Sequence, residues 1–82
     1  MKEIKYFTST WCSPCKVLSP IMDKLKYQGF NITKIDVDDT PELVTEYGVR
    51  NIPTIVFEVN GVVKEKLVGV QPEEKIIEIY NG

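Results

Sequence analysis

Cys12 and Cys15 are the only cysteines of this 82-residue chain and stand two residues apart in Trp11-Cys12-Ser13-Pro14-Cys15. Three kinds of chemistry use such a pair. Half of a zinc site would need two further thiolate or imidazole ligands, but the chain has no other cysteine and no histidine, so no tetrahedral site forms within one chain. A structural cross-link at this spacing closes almost no loop and constrains the unfolded chain little, and structural disulfides are rare in the cytosol. Thiol–disulfide redox chemistry fits best, because the pair sits between a strand and the first turn of a helix within a β-α-β pattern. Unpaired backbone amides and the positive end of the helix dipole favour thiolate over thiol at Cys12, which makes it the nucleophile. Cys15 lies one turn in and is better shielded, and Ser13-Pro14 supplies a turn that holds the sulfurs within bonding reach.

The elements that must position this pair follow from periodicity. Ile4 to Thr8 is short and rich in β-branched and aromatic residues, which predicts a strand ending at the cysteine segment. Val17, Leu18, Ile21, Met22 and Leu25 recur at helical spacing, predicting a helix to about Gln28, capped by Gly29 and kinked at Pro20. Phe30 to Val37 reads as a second strand, parallel to the first across a right-handed crossover. Thr40-Pro41-Glu42 gives an N-cap and a proline at the first helical position for a short helix reaching Gly48. Thr54 to Val59 and Val62 to Val68 flank Asn60-Gly61, a two-residue hairpin signal. A last helix is expected from Pro72 to about Tyr80. The order β-α-β-α-β-β-α predicts an α/β fold, a four-stranded mixed sheet with flanking helices.

Composition narrows the setting. The chain is 43% hydrophobic and 27% charged, as in an ordinary globular protein, and its length suits one domain over residues 1–82. Its net charge of −2 arises from mixed signs without a basic stripe, so nucleic acid is not an expected partner. No apolar run approaches a membrane span, and Met1-Lys2-Glu3-Ile4-Lys5 is not followed by an apolar signal region. The chain reads as a cytoplasmic monomer.

Trp11-Cys12-Ser13-Pro14-Cys15-Lys16, with Pro20 beyond it, resembles the thioredoxin active-site segment, in which glycine usually stands at the place of Ser13. Lys34-Ile35-Asp36-Val37-Asp38, Tyr47 to Thr54, Asn60-Gly61 and Val68-Gly69 are similar to further thioredoxin motifs in family order, over nearly the whole chain. The resemblance implies a thioredoxin-like fold and a protein disulfide reductase without cofactor. Its partners would be disulfide-containing target proteins and an electron donor of the thioredoxin-reductase type. It also implies that Pro53 is a cis-proline facing the cysteines, although the first residue of a strand is an equally permitted place for proline. Trp11, Pro14, Ile52, Pro53, Gly69 and Val70 would then form a shallow apolar docking surface. For Trp11 a place in the core is the competing expectation, since tryptophan is highly buried on average.

Two features depart from the family pattern. Thioredoxins usually carry a further strand and helix ahead of the strand that leads to the cysteines. They also hold a buried aspartate six residues before the first cysteine, where this chain has Tyr6. A phenol, with a reference pKa of about 10, is a poor base near neutral pH. The family's neighbouring lysine is present as Lys34, without its carboxylate partner, and a solvated lysine at the strand edge is the simpler expectation for it. Cys15 would then be activated through water or by the departing Cys12 thiolate. Two other functions compete. A glutathione-dependent glutaredoxin fits the short length, but Val68 to Glu73 lacks the paired glycines followed by an acidic residue that glutaredoxins use for glutathione. A non-catalytic interaction module would not require two cysteines at this spacing.

Overall fold

Alternating side chains along the first strand divide the molecule into layers. In the computed structural model, which describes residues 1–82, β1 spans Lys2–Thr8, and its Ile4 and Tyr6 face one side while Lys5 and Phe7 face the other. Around it lie α1 (Ser13–Tyr27), β2 (Ile32–Asp36), α2 (Pro41–Glu46), β3 (Thr54–Val59), β4 (Val62–Val68) and α3 (Glu73–Asn81), in the expected order. The sheet runs β2-β1-β3-β4, with β1 and β2 parallel and the other pairs antiparallel. A parallel pair beside a hairpin is the mixed sheet that the sequence predicts.

The larger core lies on one face, where Leu18, Met22 and Leu25 of α1 and Ile76 of α3 cover Ile4, Tyr6, Ile32, Ile55 and Phe57. Each such fully buried aliphatic or aromatic side chain contributes roughly 1.5–3 kcal/mol relative to exposure. The opposite face has a smaller core of Phe7, Ile35, Val49 and Val56, against which Leu43 and Val44 of α2 pack. Helix α1 passes through Pro20 without interruption and ends at Gly29, whose φ of +106° only glycine adopts readily. There the Phe30 amide donates to the Leu25 carbonyl at 3.0 Å and the Gly29 amide to the Lys26 carbonyl at 3.1 Å, the paired closure of a Schellman cap.

That cap corrects one expected boundary. Phe30 is consumed by the helix end and stacks on Tyr80, with ring centroids 4.6 Å apart, so β2 begins at Ile32 and not at Phe30. At its other end β2 stops at Asp36, whose carboxylate accepts the Asp38 amide at 2.9 Å in a tight turn, leaving Val37 outside the strand. Thr40 stands at the N-cap of α2, but its hydroxyl donates to the Asp36 carbonyl at 3.1 Å and does not cap the helix. At the hairpin, Asn60 and Gly61 both have positive φ (52° and 82°), as a type I′ turn requires. Past it the pairing skips Lys64, a one-residue bulge in β4.

The half of the smaller-core face nearest the start of β1 is polar. Lys5 lies 2.5 Å from a carboxylate oxygen of Glu58, which is only 4% exposed, and 3.0 Å from Glu3; Tyr47 donates to Glu58 at 2.7 Å and Thr33 to Glu3 at 2.7 Å. Thr33 and then Lys5 hydrogen-bond the Glu3 carboxylate and hold its pKa below the ordinary 4.5, against the upward pull of burial. Burial alone would depress the Lys5 ammonium, but hydrogen bonds to Glu58, Glu3 and Tyr47 together hold it above its ordinary 10.5. The hydrogen bond to Glu58, then burial, raise the Tyr47 phenol above 10.0.

These directions set a stability profile. Glu3, with its pKa lowered on folding, stabilises the fold above the unfolded value and loses that contribution as pH falls through the folded one. Lys5 and Tyr47, with raised values, contribute fully below their unfolded values and lose the contribution as pH rises through the folded ones. The urea midpoint is therefore expected to be level from roughly pH 5 to pH 10 and to fall on both sides. Midpoints measured across that range check it, and a continuous decline between pH 6 and pH 9 would contradict it.

Candidate functional site

The cysteines lie where β1 ends and α1 begins. Cys12 is the N-cap of α1 in extended conformation, Ser13 and Pro14 open the helix, and the Cys15 amide donates to the Cys12 sulfur at 3.2 Å. A side-chain acceptor at the cap satisfies one of the helix's orphan amides, and here that acceptor is the sulfur itself. The two sulfurs are joined in a disulfide, with the Cα atoms 5.2 Å apart. Cys12 is 5% exposed and Cys15 1%, so what access there is favours the first sulfur.

The Ile52-Pro53 peptide is cis and faces the pair, with the Ile52 carbonyl oxygen 3.8 Å from the Cys12 sulfur. Pro53 itself is fully buried, which corrects its expected place on an open surface. Ile52 is half-buried, and neither its amide nor its carbonyl takes part in a backbone hydrogen bond. Gly69 closes the far side, its amide donating to the Pro53 carbonyl at 2.8 Å with φ at +89°. Trp11, 65% exposed, is not a core residue; its indole donates to Asp38 at 2.7 Å, which fixes the ring beside the disulfide. Pro14 and Val70 are also exposed.

Tyr6 and Lys34 lie on the α1 face. Tyr6 is completely buried, its hydroxyl 2.8 Å from Ser19 and donating to the Cys15 carbonyl at 3.3 Å. It therefore touches the backbone of the second cysteine without offering that cysteine a carboxylate. Lys34 is the expected solvated lysine of the strand edge, 45% exposed and 3.7 Å from Asp23. Sequence reasoning gave no role to Asp38, Ser19 or Ser9. The signal for Asp38 lay in the Lys34 to Asp38 motif, whereas Ser9 and Ser19 carry no local signature.

A disulfide capping a helix beside a cis-proline on a four-stranded mixed sheet is the apparatus of a thiol–disulfide oxidoreductase. The thioredoxin family model matches residues 3–81. Thioredoxin from Staphylococcus aureus is 40% identical over 78 residues, covering 92% of this chain and 75% of its own. The Listeria monocytogenes thioredoxin is 35% identical over 78 residues, covering 92% and 76%. Among solved structures, a point-mutant thioredoxin from Halobacterium salinarum superposes with a TM-score of 0.91 at 34% identity, over 98% of this chain and 72% of its own. Fasciola hepatica thioredoxin gives 0.86 at 28% identity, over 98% and 78%. The chain belongs to the thioredoxin family, and it is a thiol–disulfide oxidoreductase.

Proposed function

We propose that this chain, acting as one cytoplasmic domain and as a monomer, reduces disulfides in target proteins and is re-reduced by a thioredoxin-reductase-type donor. The observation that carries the reading is the Cys12 sulfur at the N-cap of α1, where amide and dipole favour the thiolate. In the reduced form Cys12 attacks a target disulfide and forms a mixed disulfide. Cys15 then attacks Cys12, the target leaves as a thiolate, and the Cys12–Cys15 disulfide remains for the donor to reduce. The rim of Trp11, Pro14, Ile52 and Gly69 receives the target chain, with the free backbone groups of Ile52 available to pair with an extended segment. Lys34 is assigned no more than a supporting place at the rear of the site.

Two coupled assays test the electron donor. Turnover of a protein disulfide is expected to depend on a thioredoxin reductase with its nicotinamide cofactor and to be slow with glutathione and glutathione reductase. Efficient turnover with glutathione alone would contradict it and restore the glutaredoxin reading.

The docking role of Trp11 has its own test. Trp11→Ala is expected to raise KM for a protein substrate about fivefold, since truncating an aromatic anchor costs about 1 kcal/mol or more, while kcat changes little. Thermal stability should move by no more than about 0.5 kcal/mol, as for other exposed positions. Steady-state kinetics with a melting curve decide it, and an unchanged KM would remove Trp11 from the docking surface.

A further inference from the structure

On the α1 face, where β1 and β2 end, a polar cleft of about 520 Å³ lies behind the disulfide, and Cys15, Ser9, Ser19, Lys34 and Asp36 are among the residues that line it. Topology places it there. Thr8 at the end of β1 pairs with Asp36 at the end of β2, and α1 starts just above them. Tyr6, beneath Cys15, presents a phenol already engaged with Ser19 and the Cys15 carbonyl. The base that would free Cys15 of its proton must come from elsewhere, and the cleft is the polar space that Cys15 adjoins.

Two observations bear on what the cleft does. Ser9 is 7% exposed, yet its hydroxyl has no hydrogen-bond partner in the protein. Buried hydroxyls are rarely left so, and a polar cleft of this volume is roomy enough to give it water. Asp36 is half-buried, with one carboxylate oxygen accepting the Asp38 amide at 2.9 Å and the other free of any hydrogen bond or ion pair. The remaining charged groups serve less well. Lys16 of α1 and Lys34 of β2 are cations that cannot accept a proton, Lys34 faces Asp23 at 3.7 Å, and Asp39 is exposed at the turn.

We propose that Asp36 is the proton acceptor for the resolving step, reached from Cys15 through water held in this cleft. This rests on the reading of Cys15 as the resolving thiol. The Cys15 S–H bond breaks and its proton passes through water to the free oxygen of Asp36. The electron pair left on sulfur forms the Cys15–Cys12 bond as the bond between Cys12 and the target sulfur breaks. The target departs as a thiolate with the electron pair of the broken Cys12–target bond and takes a proton from solvent, and Asp36 releases its own proton to solvent before the next cycle. Two electrons pass from the dithiol to the target, with no further oxidant or reductant. The carboxylate that Tyr6 displaces from below Cys15 is thus supplied from the end of β2.

Asp36→Asn tests this because the amide oxygen can still accept the Asp38 amide while the base is lost. In single turnovers of the reduced protein with a disulfide-containing probe protein, release of the probe thiol is followed from pH 5 to pH 9. At pH 7 the variant is expected to be about tenfold slower, because an unaided thiol is only a few per cent ionised there. The difference should close towards pH 9, where an ordinary thiol of pKa about 8.5 ionises without help. Formation of the mixed disulfide, measured in the Cys15→Ser background, should be unaffected. Ser9→Ala, which removes a hydroxyl that orders the water, is expected to slow release in the same pH-dependent way to a smaller extent, and it decides the matter if Asp36→Asn folds poorly. Identical release rates at every pH, or a loss independent of pH, would overturn the proposal. Failure of Cys15→Ser to accumulate any mixed disulfide would instead overturn the resolving role itself, and with it this step.

Discussion

Cys12→Ser is expected to abolish disulfide reduction, lowering turnover at least about a thousandfold, because a serine hydroxyl at the helix N-cap does not ionise and cannot attack a disulfide. The fold should survive, since serine is itself a favoured N-cap residue and can accept the Cys15 amide as the sulfur does. Cys15→Ser gives a different outcome from the same pair. The first attack remains possible, so the protein should trap one equivalent of target as a mixed disulfide and stop. Turnover assays with mass measurement of the intact protein separate the two variants. If Cys12→Ser accumulated the adduct and Cys15→Ser did not, the assignment of attacking and resolving thiols would be reversed.

The second large effect concerns stability and lies far from the cysteines. Glu58 is 4% exposed on β3 and is held by Lys5 at 2.5 Å and by the Tyr47 hydroxyl at 2.7 Å. Glu58→Ala would leave the Lys5 ammonium, 18% exposed, with the rim contact to Glu3 at 3.0 Å and the Tyr47 ring, whose centroid lies 5.6 Å away. Breaking one side of a buried pair costs about 3–5 kcal/mol, and the partial exposure of Lys5 places this case at the lower end. At about 3 kcal/mol, a domain of this size should lose roughly 12–24 °C in Tm. Replacing both partners, as in Lys5→Met with Glu58→Leu, is expected to recover most of that loss, because well-packed apolar groups replace such a pair at little cost. Thermal and urea melts of the parent protein and the two variants check this. A loss below about 1 kcal/mol for Glu58→Ala would mean that the pair behaves as a screened surface contact.

Local chemistry made much of this molecule readable in advance. The helical recurrence of Leu18, Met22 and Leu25, the Asn60-Gly61 turn and the dithiol between strand and helix all act over a few residues, and each stands where its pattern predicts. What was not readable depends on residues distant in sequence or on competition at element ends. Phe30 has the composition of a strand residue, but the Schellman closure and the Tyr80 ring, fifty positions away, claim it. Trp11 has no local feature that separates core from surface, and the deciding contact is Asp38 across the turn after β2. Glu58 lies within the strand-forming run Thr54 to Val59, and its burial is intelligible only once Lys5 is known to sit beside it. The place of Tyr6 was legible as the loss of a carboxylate, whereas the cleft holding Ser9 and Asp36 exists only where β1, β2 and α1 meet.

The reduction potential of the Cys12–Cys15 pair tests the central claim most directly, because it states which way electrons flow between this dithiol and a target. Equilibration against a glutathione or dithiothreitol buffer series, read from the fraction of disulfide, should give a value near the roughly −270 mV of thioredoxins, at which the dithiol is a competent reductant of protein disulfides. A value near −120 mV, in the range of protein-oxidising enzymes, would mean that the pair donates its disulfide instead, and would contradict the reductant role.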